Sequence, residues 1–315
     1  MATYKVLHGI NVQYRDSDAT AIEGDVWYNS STGKLKMYAS VGSWASGGTL
    51  NTARQKLCES GCGTQDAGFI AGGATTLANT EQYDGSSWTE TADLNSGRNS
   101  AGMTGTTTAA LFFGGAPGNQ ALTELWDGSA WAETADLNSG RLRPGSAGTS
   151  APASLAFGGG PAYQATCEKW NGTSWTEVGD LNTAKIMFGC GSSTAAIGAG
   201  GEIPSSPWST ANTESWNGTS WTEVNNLNTS ANFNGMAGTQ TAALSFGGYP
   251  AVVNTELWDG TSWSELNNLA TGRSEMAPAG TSTAALGTGG GPVSGAVTTT
   301  EEWSFSALKE TVAFD

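Results

Sequence analysis

Apolar and polar residues alternate along most of this chain in short runs, separated by Gly, Asn, Asp and Ser; this pattern predicts strands and turns. The clearest unit is Glu256-Leu257-Trp258-Asp259-Gly260-Thr261-Ser262-Trp263-Ser264-Glu265. It predicts a strand, a tight turn and a second strand. Asp-Gly supplies the positive φ angles a short hairpin needs, and a tryptophan stands on each side of the turn, where large side chains can pack together.

The unit repeats. Its second tryptophan recurs as Trp44, Trp88, Trp131, Trp175, Trp221 and Trp263, and its first aromatic as Tyr83, Trp126, Trp170, Trp216, Trp258 and Trp303. The two series are out of phase, because the chain opens on a second tryptophan and closes on a first aromatic. If each period is one four-stranded blade, Trp44 lies on an N-terminal strand that completes the last blade, and the ends are tied together with fewer free strand edges. Six residues after each second tryptophan stands Leu50, Leu94, Leu137, Leu181, Leu227 or Leu269, and four further on Arg54, Arg98, Arg141, Lys185, Ala231 or Arg273. A small-residue segment such as Ser100–Gly105 suits a crowded inner strand. An apolar strand follows, ending in paired glycines such as Gly114-Gly115 or Gly200-Gly201. Glu81, Glu124, Glu168, Glu214, Glu256 and Glu301 precede the first aromatic by two positions and are expected to be partners for the repeated Arg/Lys positions or for backbone amides, with each strand-opening basic residue donating a charge-assisted hydrogen bond to a repeat glutamate.

Residues 1–40 lack the unit and form a separate β arm. Tyr4, Val6, His8, Ile10, Val12 and Tyr14 alternate on one face of a predicted strand, and Gly24–Tyr38, with Trp27 and Tyr28, predicts a hairpin. A lone strand and hairpin are marginal in water. The arm is therefore expected to pack on the repeats, on sister copies or on a larger assembly. Residues 41–305 carry the repeat and 306–315 form a C-terminal tail.

Composition sharpens the picture. With 45 glycines and 13% charged residues, the chain suits many short strands joined by turns. Its formal charge of -15 and scattered 13 basic residues argue against nucleic acid as a partner. No secretory leader or membrane-spanning run is expected, which places synthesis in a cytoplasm and predicts no membrane insertion. Cys58, Cys62, Cys167 and Cys190 allow three pairings, and buried free thiols fit strands better than a metal site without histidine. No cofactor or metal is expected.

The order of these features, a strand ending in Gly-Gly, then Glu-x-Trp/Tyr-Asp/Asn, then Trp, then a basic residue opening the next strand, resembles the kelch repeat over residues 41–305. That resemblance implies an all-β fold: a six-bladed kelch-like β-propeller closed by an N-terminal strand, with the short N-terminal β arm attached. Ala231 breaks the basic series, and Trp stands where many kelch repeats have Tyr. In the arm, Glu23-Gly24-Asp25-Val26-Trp27-Tyr28-Asn29 followed by Thr32-Gly33-Lys34-Leu35 resembles hairpins of bacteriophage fibre and virion appendage proteins.

Regular spacing marks the repeated tryptophans as structural. Trp208 belongs to no repeat position and lies in the longest loop after a double glycine; with Tyr163 and Tyr249 it is a candidate for binding a ligand or partner. Tyr4, Val6, Ile10, Val12, Tyr14, Trp27 and Tyr28 are candidates for attachment to a virion. The kelch-based copper oxidases need histidine ligands, and the only histidine, His8, lies outside the repeats. The Asp-Gly pairs lack the intervening residue of sialidase Asp boxes. Asn-x-Ser/Thr matches such as Asn171-Gly172-Thr173 are turn formers. The expectation is a non-enzymatic bacteriophage virion protein, made in the host cytoplasm, whose residues 1–40 bind other virion proteins while the propeller binds a host-surface glycan. A capsid or tail decoration protein, a polysaccharide-degrading enzyme and an adaptor are the competing functions.

Overall fold

Period-two alternation lets one face of each short strand be buried, and the intervening Gly, Asn and Asp pairs force the chain to turn before a strand grows long. The computed structural model describes residues 12–17, 26–57, 62–292 and 295–311. Among these residues there are strands and no helix, so the fold is all-β. The chain divides into two units: Trp44–Trp303, and Met1–Ser43 together with Ser304–Asp315.

The larger unit is built from repeated four-stranded antiparallel sheets, consistent with a propeller. The inner strands are Gly63–Thr64, Gly102–Thr106, Gly145–Ser150, Ile186–Ser192, Gly235–Thr239 and Ala277–Gly280. In the second repeat the order then runs through Ala109–Phe113 and Thr123–Trp126 to the outer strand Trp131–Thr134. Each inner strand lies beside that of the next repeat, and Ala277–Gly280 lies beside Gly63–Thr64. Joined through shared strands there are six sheets. Counted by uninterrupted ladders there are seven sheets, because Gly63–Thr64 pairs with residues 67–68 whereas residues 69–71 pair with the next strand.

The outer strand of the last sheet comes from the other end of the chain. Lys34–Ser46 lies beside Thr300–Thr311, as the phase offset predicts. Gly47 donates its amide to the Thr300 carbonyl at 2.9 Å, and the Trp44 and Trp303 rings lie 5.4 Å apart.

Two sets of interactions join consecutive repeats. The first is aromatic. Each outer-strand indole donates to the residue that opens the third strand of the preceding repeat: Trp131 to Thr80 at 3.2 Å, Trp175 to Thr123 at 3.1 Å, Trp263 to Thr213 at 3.2 Å. Trp88 to Thr300 and Trp44 to Thr255, both 3.0 Å, carry the pattern through the chain termini. At the sixth position Cys167 replaces threonine, and its Sγ accepts from Trp221 at 3.1 Å. The same rings pack against the preceding repeat, as Trp175 does on Phe113 and Trp221 on Phe157, each at 4.8 Å. Burying an aromatic of ~150–250 Å² stabilises by at most about 4–6 kcal/mol at ~25 cal/mol/Å².

The second set is ionic, and it bears out the expected pairing of repeat glutamates. Arg98 bonds Glu124 at 2.8 Å and Arg141 bonds Glu168 at 2.6 Å, while Arg54 pairs with Glu81 and Arg273 with Glu301, all with buried side chains. Lys185 Nζ lies 3.0 Å from Glu214 Oε1, an ion contact without hydrogen-bond alignment. Each arginine also donates to two carbonyls, as Arg98 does to Gly114 and Leu122 at 3.0 and 2.7 Å. The second carboxylate oxygen takes an asparagine: Asn95 gives both its backbone and side-chain N–H to Glu124 Oε2, at 2.8 and 3.0 Å. The double glycines complete the link, because Gly115 donates to the Arg141 carbonyl at 2.8 Å. A Cβ on Gly114 (φ 72°) would lie 2.8 Å from that carbonyl oxygen, so the close approach needs glycine there. A basic residue thus holds its own repeat by its side chain and the preceding repeat by its backbone.

In the smaller unit, Val12–Arg15 runs parallel to Val26–Asn29, which pairs antiparallel with the start of Lys34–Ser46 around a turn closed by the Thr32 amide on Asn29 Oδ1 at 3.0 Å. The hairpin matches its prediction. Residues 306–315, expected as a tail, continue instead in the strand Thr300–Thr311 as far as Thr311.

Arg98→Met should leave Glu124 buried without its cation and destabilise by about 3–5 kcal/mol in denaturant unfolding. Glu256, facing Ala231, has no such cation; it takes the Asn228 and Thr229 amides at 2.8 and 3.0 Å. Glu256→Gln should cost less than Glu124→Gln in the same assay. A further prediction concerns the hairpin turns. Hydrogen bonds from Ser87 and Ser86 lower the Asp84 pKa from 3.8 to about 2. Because the folded value is depressed, the turn's contribution is complete above about pH 4 and lost as pH falls through about 2. Asn171 and Asn217 accept the equivalent bonds without titrating. Asp84→Asn should therefore abolish the pH-dependent shift of the Ser86 and Ser87 amide resonances between pH 4 and 2.

Candidate functional site

Chemistry is sought where the repeat is irregular, because residues at regular positions are occupied with holding the sheets together. Two places in the larger unit qualify, at opposite ends of the inner strands.

At the end where inner strands turn back lies a cavity of about 230 Å³. Thr64, Thr106, Thr149, Thr239 and Thr281 contribute hydroxyls to its wall, with Ser146, Cys190 and glycines between them. No charged side chain lines it, so it offers hydrogen bonds to water and no acid or base. Burial pushes the Cys190 thiol up to about 12, which keeps it protonated at neutral pH.

The other end is formed by the crossover segments that enter each inner strand and by the double-glycine loops packed on them; Ala116, for example, donates to the Asn99 carbonyl at 2.8 Å and Tyr249 to that of Asn232 at 2.8 Å. Two residues after each strand-opening position stand Lys56, Ser100, Arg143, Met187, Phe233 and Glu275. All but Met187 are left-handed, with φ between 53° and 57°. Their backbones are linked in part: Ser100 donates to the Lys56 carbonyl at 2.9 Å, Arg143 to Ser100 at 2.7 Å, and Glu275 to Phe233 at 3.2 Å.

Arg143 is the centre of this group. Its Nη2 bonds Glu275 at 3.2 Å, its Nη1 lies 3.8 Å from Glu202, and its guanidinium sits 4.4 Å above the Phe233 ring. Arg143 enters the third inner strand and Glu275 the sixth, so the pair spans opposite positions of the inner-strand sequence. Side-chain exposure is 21% for Arg143, 22% for Glu202 and 16% for Glu275, which leaves each within reach of solvent.

The candidate ligand residues divide around this group. Tyr163 (φ 49°) donates its hydroxyl to Glu202 at 2.9 Å, and desolvation followed by that bond raises its pKa. Tyr249 packs edge-on to Phe233 at 6.4 Å and is 54% exposed. Trp208, 56% exposed with φ 68°, is held by its backbone: its amide donates to Ser205 at 2.8 Å, and its indole has no hydrogen bond or ring contact among the described residues. Tyr163 and Tyr249 are thus tied to Arg143 through Glu202 and Phe233, and Trp208 is not. Arg143, Glu202, Phe233 and Glu275 escaped the sequence criteria, although one signal marks three of them: the column two beyond the basic series changes residue type at every repeat.

The arm candidates also divide. Val12, Tyr14 and Tyr28 share one face, with the Tyr14 and Tyr28 rings 5.1 Å apart and Tyr14 75% exposed. Trp27 is fully buried, with the Arg15 guanidinium 5.3 Å from its ring centre. Period two puts it on the opposite face from Tyr28, so it is not available to a partner as part of that surface. Tyr4, Val6 and Ile10 lie outside the described residues, as do Cys58 and His8. Cys62, Cys167 and Cys190 are free and buried.

No protein-family model and no curated protein matches the chain.

Trp208→Ala and Tyr249→Ala should each change unfolding free energy by no more than about 0.5 kcal/mol, whereas Trp131→Ala, at a buried position, should cost about 3–5 kcal/mol; thermal and denaturant unfolding followed by circular dichroism measures both.

Proposed function

We propose that this chain is a non-enzymatic bacteriophage virion protein, a fibre- or adhesin-like six-bladed kelch-like propeller closed by its N-terminal strand. Its residues 1–40 attach to other virion proteins, and its double-glycine loops meet a glycan on the host surface. The six-fold order of features and the passage of the Trp–Thr and Arg–Glu links through both chain ends support the propeller assignment.

The observation that carries the functional part is a division of labour. Regular positions are mostly buried and paired within the repeats, whereas exposed large apolar side chains concentrate in two irregular places: Val12 and Tyr14 on the arm, and the loops bearing Trp208 and Tyr249. Two surfaces suit a protein that holds a particle with one and a target with the other. The small axial cavity has no acid–base pair, which favours binding over hydrolysis.

Particles carrying a chain deleted for residues 1–40 should lack the protein, by mass spectrometry of purified virions, while the truncated chain still accumulates in the lysate; wild-type incorporation would contradict attachment through the arm. The full-length chain should also adhere to host cells. Incorporation without adhesion would favour a decoration protein that binds only its virion neighbours, and release of sugar from host polysaccharide would make it an enzyme.

A further inference from the structure

Glycine is the inexpensive residue for a left-handed backbone, and this chain holds 45 of them. Yet Lys56, Ser100, Arg143, Phe233 and Glu275 occupy equivalent left-handed positions, with φ from 53° to 57°. Side chains have been retained there at the expense of backbone strain, and they differ at every repeat. Strain of this kind, sustained at five equivalent positions, points to a use for the side chains.

We propose that the mouth formed by Arg143, Phe233 and Glu275, with Glu202, Tyr163 and Tyr249 at its rim, binds an uncharged pyranose of the host-surface glycan. This inference rests on the adhesin function proposed above and assigns that function its site and its sugar class. Arg143 is gripped by Glu275 at 3.2 Å, flanked by Glu202 at 3.8 Å and laid on Phe233 at 4.4 Å, so its planar fork is oriented before any ligand arrives. Guanidinium and carboxylate groups side by side present donors and acceptors at the spacing of vicinal hydroxyls. Tyr249, 54% exposed and edge-on to Phe233 at 6.4 Å, supplies the apolar surface that the C–H face of a pyranose covers, while Phe233 supports both Tyr249 and the Arg143 guanidinium.

Charge selects among sugars. One guanidinium lies between two carboxylates, a local balance of minus one on a chain of net -15. A uronic or sialic acid would bring a third carboxylate to a cation already bonded by Glu275 at 3.2 Å and flanked by Glu202 at 3.8 Å. A cationic sugar would meet Arg143 at the centre of the site. A neutral hexose meets neither penalty.

The test uses the full-length chain on an array of immobilised neutral oligosaccharides, based on glucose, galactose and mannose, and of oligouronates. The wild-type chain should retain at least one neutral class and no uronate. Arg143→Ala and Phe233→Leu should each weaken that binding at least ten-fold with an unchanged melting temperature; Phe233→Leu keeps an apolar side chain and so separates lost recognition from lost folding. Uronates bound as well as neutral sugars would overturn the proposal. So would loss confined to Trp208→Ala, with Arg143→Ala and Phe233→Leu binding like wild type; glycan adhesion would then stand and its site would lie elsewhere. A chain that retains no array glycan overturns the inference, and one that also fails to adhere to host cells overturns the adhesin function itself.

Discussion

A buried carboxylate in the third strand of every repeat is the constraint around which the larger unit is arranged. Glu81, Glu124, Glu168, Glu214, Glu256 and Glu301 are all almost fully inaccessible, and a buried charge without partners is too costly to persist. The crossover before each inner strand must therefore come down onto the sheet and deliver donors. In four repeats asparagine amides serve one oxygen and an arginine or lysine lies against the other; in the fifth, where Ala231 replaces the basic residue, the Thr229 amide serves the second oxygen, and in the sixth the Ala270 amide stands in for the asparagine. An arginine that satisfies a glutamate and two carbonyls of its own repeat, while its own carbonyl takes an amide from the preceding one, turns a local charge problem into a link between repeats.

The aromatic links work at a different place and with a different tolerance. An indole wedged against the preceding repeat is held by dispersion and area burial, which are non-directional, and its single N–H selects only a nearby acceptor. That is why Cys167 can stand where five repeats have threonine: the thiol is a weaker acceptor, but the ring packing is unchanged. Trp170 shows the other limit, since its buried indole N–H has no partner, whereas Trp126, Trp216, Trp258 and Trp303 each donate to a carbonyl of the preceding turn. In the third repeat the equivalent acceptor position is Ala151, followed by Pro152 where the other four have Thr.

Function falls where these demands are absent. The inner-strand entrance is surrounded by side chains that no sheet requires, and in the proposed adhesin the same rigidity that comes from the glutamates and tryptophans holds Arg143 and its neighbours in place. The arm presents Val12, Tyr14 and Tyr28 on an exposed face while Trp27 and Asn29 are buried on the other.

Much of this was legible in the residues. Strand and turn positions, the offset that makes Trp44 complete the last sheet, and the glutamate-to-arginine pairing all follow from a repeat whose every copy must satisfy the same local chemistry, so that spacing alone encodes the partners. The group around Arg143 was not legible, because its members are far apart in sequence and at different repeats: Arg143 and Glu275 are separated by 132 residues. Nor could alternation say that Val12–Arg15 pairs in parallel with Val26–Asn29, since either direction buries the same face. Short-range periodicity determined the elements and how each repeat is held; which unlike side chains meet across the inner-strand entrance was decided only by the packing of the repeats against one another, which brings together positions no local rule relates.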